Sequence, residues 1–289
     1  MSRLMPNLGG PCGRVRRLYA NVAHSIGLYG APVWAEAISG NRRALAALRT
    51  QRQMAVRVVR AYRTVSHAAA TLLAGMPPVD LLAGAYSRSY ERIADLKKRG
   101  LPVTGRTRRL INSQERETAV KKWRDRLREP DCAGQRTVQA ILPHMATWLN
   151  RTWARSSYRT TQVLTGHGCF GEYLHRIQRE DTKGCHHCQE AVDDAQHTLE
   201  FCPAWEGQRQ ALKDRIGPDL TLGTIVGRIT QCEEAWEAFS LFCEKVMREK
   251  EESERVRRGE TNDPPNTQGG GRANRRRRAR GTLAHLRAW

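Results

Sequence analysis

The chain has no apolar segment that could cross a membrane, because none approaches the roughly 20 consecutive apolar residues that a spanning helix needs. Its first six residues also lack the continuous apolar core of a signal peptide. Five of the eight cysteines show no spacing typical of a disulfide framework; they are Cys12, Cys132, Cys169, Cys232 and Cys243. These absences predict an intracellular protein in a reducing compartment, with no membrane as a partner.

Acidic residues are scarce relative to basic ones. The chain has 29 Asp and Glu against 49 Lys and Arg, which gives a formal net charge of +20 and a pI of about 10.4. Such an excess predicts binding to a polyanion, and it favours nucleic acid over an anionic membrane surface.

The alternating pattern of β-strands is almost absent, and no repeat of solenoid type is present. Apolar residues instead recur at helical intervals, for example in residues 14–27, 42–63, 114–129 and 233–252. The sequence therefore predicts a mainly α fold. We expect the first of these segments to bury the stripe formed by Val15, Leu18, Tyr19, Val22, Ala23 and Ile26. The last predicts a core helix or, as a second possibility, a face that docks a protein partner.

One segment has the spacing of a metal site. Cys185, Cys188, His197 and Cys202 form the pattern C-x2-C-x8-H-x4-C. Two cysteines separated by two residues can present both sulfurs to one cation from a tight turn, and a histidine and a third cysteine can complete a tetrahedron. Thiolates and imidazole are the ligands that zinc prefers, and four protein ligands leave no position for a catalytic water. The pattern predicts a structural Zn²⁺ site.

Two histidines within the turn, His186 and His187, are rival ligands. They lie where the backbone already turns, so His197 is preferred. Asp193 and Asp194 resemble the paired aspartates of a polymerase, but they directly precede the segment that carries His197. We expect one of the two to cap that helix, and we predict no catalytic residue in this chain.

Arginines line one side of the helix predicted over residues 42–63, while apolar residues line the other. The row consists of Arg42, Arg49, Arg52, Arg57, Arg60 and Arg63. It is either a solvated charged face or a surface that contacts nucleic-acid phosphates, and the single charge sign supports the second possibility.

Beyond residue 253 apolar residues nearly vanish. This predicts a disordered basic tail that contains Arg275, Arg276, Arg277 and Arg278. The tail would contact nucleic acid without sequence preference, or it would direct import into the nucleus.

Several blocks of the sequence resemble a known family. The segments LYGAPVW at residues 28–34, RVVRAYRTVS at 57–66 and AGMPP at 74–78 resemble the region downstream of the polymerase centre in type I, non-long-terminal-repeat retrotransposon Pol proteins. LTGHGCFGEYL at residues 164–174, the four metal ligands and CPAW at 202–205 resemble the Cys/His motif of the same family. The similarity is greatest to arthropod elements that insert into ribosomal RNA genes, and it covers about residues 28–205.

This resemblance implies a piece of a polyprotein that joins an endonuclease to a reverse transcriptase. The chain lacks the aromatic-x-Asp-Asp polymerase signature, so Mg²⁺ would be bound only by domains outside it. The implied organisation is a thumb-like helical region over residues 1–105, a helical linker over 106–160 and a zinc knuckle over 161–217. An amphipathic helical segment over 218–252 and the tail over 253–289 follow.

The predicted function is to hold RNA or a primer-template while the upstream polymerase domain copies element RNA onto target DNA in the nucleus. The alternative is a zinc-stapled protein-interaction module with non-specific affinity for RNA. Whether the chain is an enzyme in its own right is left open, since only the parent polyprotein carries the polymerase and endonuclease motifs.

Overall fold

The computed structural model describes residues 5–38, 42–151 and 156–260, with only the backbone described at residues 37–38 and 42–45. These ranges contain helices and no strand, which confirms the predicted mainly α class. The thirteen α-helices within them are α1 (Gly13–Gly27), α2 (Ala31–Ile38), α3 (Arg42–Val58), α4 (His67–Ala74), α5 (Val79–Lys98), α6 (Gly105–Leu127), α7 (Gln135–Ile141), α8 (Met145–Asn150), α9 (Tyr158–Thr165), α10 (Gly171–Arg176), α11 (Glu206–Ile216), α12 (Leu222–Ile229) and α13 (Glu233–Arg257).

A continuous cluster of buried side chains joins elements from α1 to α13. Trp123, Trp148, Phe170 and Phe239 are among its largest fully buried members. The apolar side of α13 belongs to this core, because Trp236, Phe239, Phe242, Cys243, Val246 and Met247 are all buried. The second interpretation of that helix, as a docking face, is therefore wrong.

Local signals in the sequence place several helix ends correctly. Ser66 accepts a hydrogen bond from the backbone N–H of Ala69 at the start of α4, and Gly75 ends that helix in the left-handed conformation. Ser157 caps α9 in the same way. Pro143 interrupts the helical run after α7, where a 3-10 turn spans Leu142–His144.

The predicted burial of the α1 stripe is wrong. Leu18 is 62% exposed and Ile26 is 73% exposed, while Val15, Tyr19 and Val22 are also exposed. The buried members of α1 are Arg16 and Ala20 instead. The guanidinium of Arg16 donates to the carbonyl oxygens of Pro11 and Arg57, so a polar network holds this side of the helix.

The helix predicted over residues 42–63 is shorter than expected, because α3 ends at Val58. Arg60 follows in the left-handed region with φ 59°. Arg60 and Arg63 therefore lie in the loop between α3 and α4, and they do not continue a helical row. Pro32 lies in the first turn of α2, where a proline is tolerated because the amide it lacks has no helical partner.

Helices α5 and α6 pack against each other as a hairpin. The predicted start of the charged helix near residue 113 is wrong by about two turns, because α6 begins at Gly105 with the Thr104 side chain accepting from the N–H of Thr107. Residues 105–109 are therefore the first turn of α6.

The end of α13 corrects the predicted tail boundary. The helix continues to Arg257, and Glu254 within it is buried, so residues 253–257 are ordered helix. Residues 261–289, including Arg275, Arg276, Arg277 and Arg278, lie outside the described ranges, as does the side chain of Arg42.

None of the described helices is by itself long and apolar enough to cross a membrane. Only α4 and α5 taken together, with a bend of 61° between them, reach the required length and composition, and α4 lies in the core.

Candidate metal centre

The structure brings the four predicted metal ligands together. One nitrogen or sulfur atom from each of Cys185, Cys188, His197 and Cys202 lies within 4.8 Å of the others. The Sγ atoms of Cys185 and Cys202 are 3.9 Å apart, and Cys188 Sγ lies 3.3 Å from His197 Nε2. A zinc ion with Zn–S bonds of about 2.3 Å separates its sulfurs by about 3.8 Å, so the donor set and its spacing fit tetrahedral zinc.

A tight turn presents the first two sulfurs. The backbone N–H of Gln189 donates to the carbonyl of Cys185 at 2.8 Å, and the N–H of Cys185 donates to Glu190 at the same distance. Gln189 takes a φ of 63°, which reverses the chain directly after Cys188. This geometry is the short loop that the Cys-x2-Cys spacing predicts.

The rival histidines point away from the four ligand atoms. His186 Nε2 lies 3.4 Å from a carboxylate oxygen of Glu180. The His187 ring packs 4.7 Å from the Trp205 ring, centroid to centroid, and burial lowers the pKa of His187 to about 4. His197 is therefore the histidine that completes the cluster. Trp205 thus lies against the metal loop.

A single turn of π-helix, His197–Phe201, carries the third ligand and leads to the fourth. The Asp194 side chain accepts a hydrogen bond of 2.6 Å from the backbone N–H of His197, so Asp194 is the predicted cap. Buried Arg209 holds the other end, because its guanidinium donates to the carbonyl oxygens of Leu199 and Cys202. The backbone at His197 and at Cys202 is thus held by side-chain hydrogen bonds, from Asp194 at the start of the turn and from Arg209 at its end.

Asp193 has a different role from its neighbour. It is buried, and both of its carboxylate oxygens accept from Lys250 Nζ, at 2.7 and 2.8 Å. Thr198 Oγ1 donates to the same carboxylate and accepts from Lys250. A carboxylate neutralised and enclosed in this way does not present free oxygens to a cation, so the contacts of Asp193 are those of a structural residue.

Asp193 also ties the metal loop to α10. Its carboxylate accepts from the backbone N–H of Gly171, and its carbonyl accepts from Glu172. A Cβ at residue 171 would lie 2.5 Å from the carbonyl oxygen of Gly184, so the loop approaches α10 too closely for any residue but glycine. Gly171 is therefore part of a tight packing turn.

Burial acts on the ligand thiols. It is the largest cause that raises the pKa of Cys202 to about 12, and it also raises the pKa of Cys185. A bound divalent cation would oppose this effect by stabilising the thiolates, so metal binding would release protons.

The sequence prediction does not include Lys250 and Arg209, although the position of each in its helix indicates burial. Lys250 lies in helical register with Phe239, Cys243 and Val246, and Arg209 lies in register with Leu212 and Ile216. A lone cation at a core position of an amphipathic helix indicates a buried partner, but only the fold shows which partner it is.

The predicted arginine row divides into two kinds of side chain. Arg49 and Arg63 are exposed. Arg52 donates to the carbonyl oxygens of Val65 and Arg63, Arg57 donates to the side chain of Asn7, and Arg60 donates to the carbonyl of Pro11. The latter three arginines are half-buried and brace the chain on either side of α3.

Two known proteins are similar to this chain. Over 247 residues it is 28% identical to the "Putative 115 kDa protein in type-1 retrotransposable element R1DM" of Drosophila melanogaster, an alignment that covers 80% of this chain and 23% of that protein. Over 165 residues it is 30% identical to the "Retrovirus-related Pol polyprotein from type-1 retrotransposable element R1 4" of Nasonia vitripennis, which covers 56% of this chain and 42% of that protein. No protein-family model and no solved structure matches the chain.

These alignments confirm the resemblance that the motifs indicate. The chain is a homologue of retrotransposable-element polyproteins. More specifically, its relatives are R1 type-1 elements of arthropods, and it corresponds in sequence to a fragment of an R1 polyprotein. It spans less than half the length of both of these relatives.

Metal analysis tests the Cys/His centre. Protein purified under reducing conditions without chelators is expected to contain about one zinc ion per chain. We expect H197Q and C202S to lose it, because each removes one of four ligands, while H186Q, H187Q and the exposed-cysteine control C12S retain it. Zinc content near zero in the unaltered protein, or loss in H186Q but not in H197Q, would contradict the ligand assignment.

A double-mutant cycle tests the Asp193–Lys250 pair. K250M leaves a buried carboxylate without its cation, so it should lower the free energy of unfolding by about 3–5 kcal/mol. We expect D193N/K250M to lower the free energy of unfolding by less than the sum of the losses in D193N and K250M, because the two partners are removed together. Denaturant unfolding at saturating zinc provides the measurement.

The matched control for this cycle is K245M, which removes an exposed lysine from the same helix and should change stability by about 0.5 kcal/mol or less. If K250M lowered the free energy of unfolding no more than K245M does, the ion pair would have no structural role.

Proposed function

We propose that this chain is a zinc-stapled, nucleic-acid-binding part of a retrotransposon polyprotein that acts beside the reverse transcriptase. It would hold template RNA or the primer-template during target-primed reverse transcription, without catalytic residues of its own. The closed Cys3His cluster carries this proposal, because four protein ligands make a rigid structural site with no open position for chemistry.

Charge and homology support the nucleic-acid part of the proposal. The formal net charge of +20 favours association with phosphates. The relatives are proteins of elements whose names identify them as retrotransposable. Mg²⁺ chemistry would belong to the polymerase and endonuclease regions of the longer polyprotein. A nuclear location, where the target DNA lies, is part of the same proposal, and microscopy of the tagged chain would decide it.

A salt series tests the binding itself. The affinity of the zinc-loaded protein for a structured RNA should fall steeply as salt rises, because binding releases counterions from the phosphates. Contacts with several phosphates predict a slope of log K against log salt of about −3 or steeper, measured by fluorescence anisotropy. A flat dependence, or no binding at low salt, would remove nucleic-acid binding from the proposal.

A partner surface forms the second part of the proposal. The exposed side of α1 consists of Leu18, Tyr19, Val22 and Ile26, and Tyr29 and Val33 extend it at 87% and 90% exposure. Contiguous exposed apolar side chains of this kind mark an interaction site. Both relatives are more than twice as long as the region they share with this chain. We assign the surface to the polymerase domain of the same polyprotein, which the longer chains would supply.

Co-purification tests this assignment. The polymerase region of the same element, expressed with an affinity tag, is expected to retain the unaltered chain, and L18Q/I26Q should reduce retention at least about tenfold because central apolar contacts dominate such interfaces. The matched control is L241Q/V256Q, which changes two other exposed apolar residues and should leave retention unchanged. If the chain alone forms a dimer that L18Q/I26Q dissociates, the occupant is a second copy and the assignment is wrong.

A further inference from the structure

The end of the α5–α6 hairpin concentrates positive charge. Six basic residues and no acidic residue lie between Asp95 and Glu115. They are Lys97, Lys98, Arg99, Arg106, Arg108 and Arg109, and all six are exposed. We call this set the hairpin end.

The carboxylates that flank the hairpin end are already paired. Asp95 lies 3.5 Å from Arg99, and Glu115 holds Arg88 and Arg92 at 2.7 and 2.8 Å. Among the residues that the structure describes, no carboxylate lies within ion-pair distance of the other five cations of the hairpin end. Their charge is therefore available to a ligand.

These cations differ from the arginines around α3. There, Arg52, Arg57 and Arg60 are half-buried and donate to groups of the protein itself. At the hairpin end the basic side chains project into solvent from two helices and the turn that joins them. Of the two surfaces, the hairpin end offers more unengaged cations, five against Arg49 and Arg63 around α3.

Two exposed tyrosines lie on α5, the helix that leads to the hairpin end. Tyr86 and Tyr90 of α5 are 51% and 61% exposed. At 100° per residue, Tyr86, Tyr90 and Lys97 fall within about 40° of one another around the helix. Tyr90 and Lys97 are separated by about 10 Å along the axis. Exposed aromatic rings on the same side of a helix as exposed cations can hold unpaired bases by stacking while the cations contact phosphates.

We propose that the hairpin end, together with Tyr86 and Tyr90, is a binding site for single-stranded RNA. Lys97, Lys98, Arg106, Arg108 and Arg109 contact the phosphates, and the two tyrosines stack on unpaired bases. This inference rests on the proposed nucleic-acid binding of the chain, and it names the surface and the ligand class. Arg52, Arg57 and Arg60 of the row around α3 then have a structural role.

Two charge-matched variants test the site in the zinc-loaded, full-length chain. K98Q/R106Q/R108Q/R109Q removes four charges from the hairpin end. R215Q/R228Q/K245Q/R248Q removes the same number of lysines and arginines from exposed positions of α11, α12 and α13. All eight side chains lie on the surface, and circular dichroism with zinc analysis checks that both variants fold.

The measurement is the affinity for a fluorescent single-stranded RNA without self-complementarity across a salt series. The hairpin variant is expected to reduce the slope of log K against log salt by about 2 to 3, because each lost phosphate contact removes about 0.7. The control variant should change the slope by less than about 1. Y86A/Y90A should weaken binding at least about tenfold, with the slope unchanged, since stacking does not release counterions.

The outcomes separate this site from the function on which it rests. If the unaltered protein does not bind RNA, the proposed function fails. If the unaltered protein binds RNA and both charge variants lose the same amount of affinity, the proposed function stands and the hairpin site is refuted. Binding of duplex DNA as tight as that of the RNA, with no effect of Y86A/Y90A, would overturn the single-stranded ligand. If the hairpin variant loses binding only to vesicles containing anionic lipid, the site is a membrane contact and the proposal is wrong.

Discussion

The buried ion pair between Asp193 and Lys250 is the constraint on which the metal centre depends. Between α10 and α11 the chain has one π-turn and one 3-10 turn but no α-helix, so few repeating hydrogen bonds order it. Asp193 lies in the middle of this segment, between the second and third ligands, and one carboxylate connects it to α10 and to α13. The long helix α13, itself fixed in the core, therefore sets the position of the loop that carries the ligands.

Burying two charges is costly, so the arrangement needs a physical reason. The desolvation penalty of an ion pair is repaid only where hydrogen bonds satisfy its remaining atoms. Here the carboxylate also accepts from Gly171 and Thr198, and the ammonium donates to Thr198. The network satisfies the polar atoms of both buried charges and connects the loop to α10 and α13 through directional hydrogen bonds. A metal site whose ligands come from two ends of an irregular segment requires such a constraint.

The sequence predicts the metal centre well and its surroundings less well. Ligand spacing identifies Cys185, Cys188, His197 and Cys202 because tetrahedral coordination restricts which residues can meet, and that restriction acts over a short stretch of chain. The helix caps at Ser66 and Ser157 are equally local. Lys250 lies 57 residues from Asp193, and nothing local specifies that distance.

Errors arose where tertiary contacts decide the outcome. The periodicity of α1 correctly predicts a helix, but it cannot show which side the rest of the protein covers. The apolar side is left exposed, and Arg16 instead anchors the helix through backbone carbonyls. Helix α12 lies within the segment 218–252 that the sequence predicts as helical, although its eight residues include two glycines and several β-branched residues, which favour other structures. Burial of Leu222, Ile225, Val226 and Ile229 outweighs that preference.

Net charge gives the class of ligand but not the place where it binds. Arg16, Arg209 and Lys250 each add to the total of +20, yet each is buried and bonded to the protein itself. The arginines around α3 are partly engaged in the same way. Only a cation whose hydrogen bonds go to water can exchange them for a phosphate without loss of structure, since a buried donor left without a partner is costly. The helix hairpin meets this condition at Lys97, Lys98, Arg106, Arg108 and Arg109, which are exposed and have no carboxylate within ion-pair distance among the described residues. The exposure of these five cations is therefore the property that makes the hairpin end suited to a polyanion.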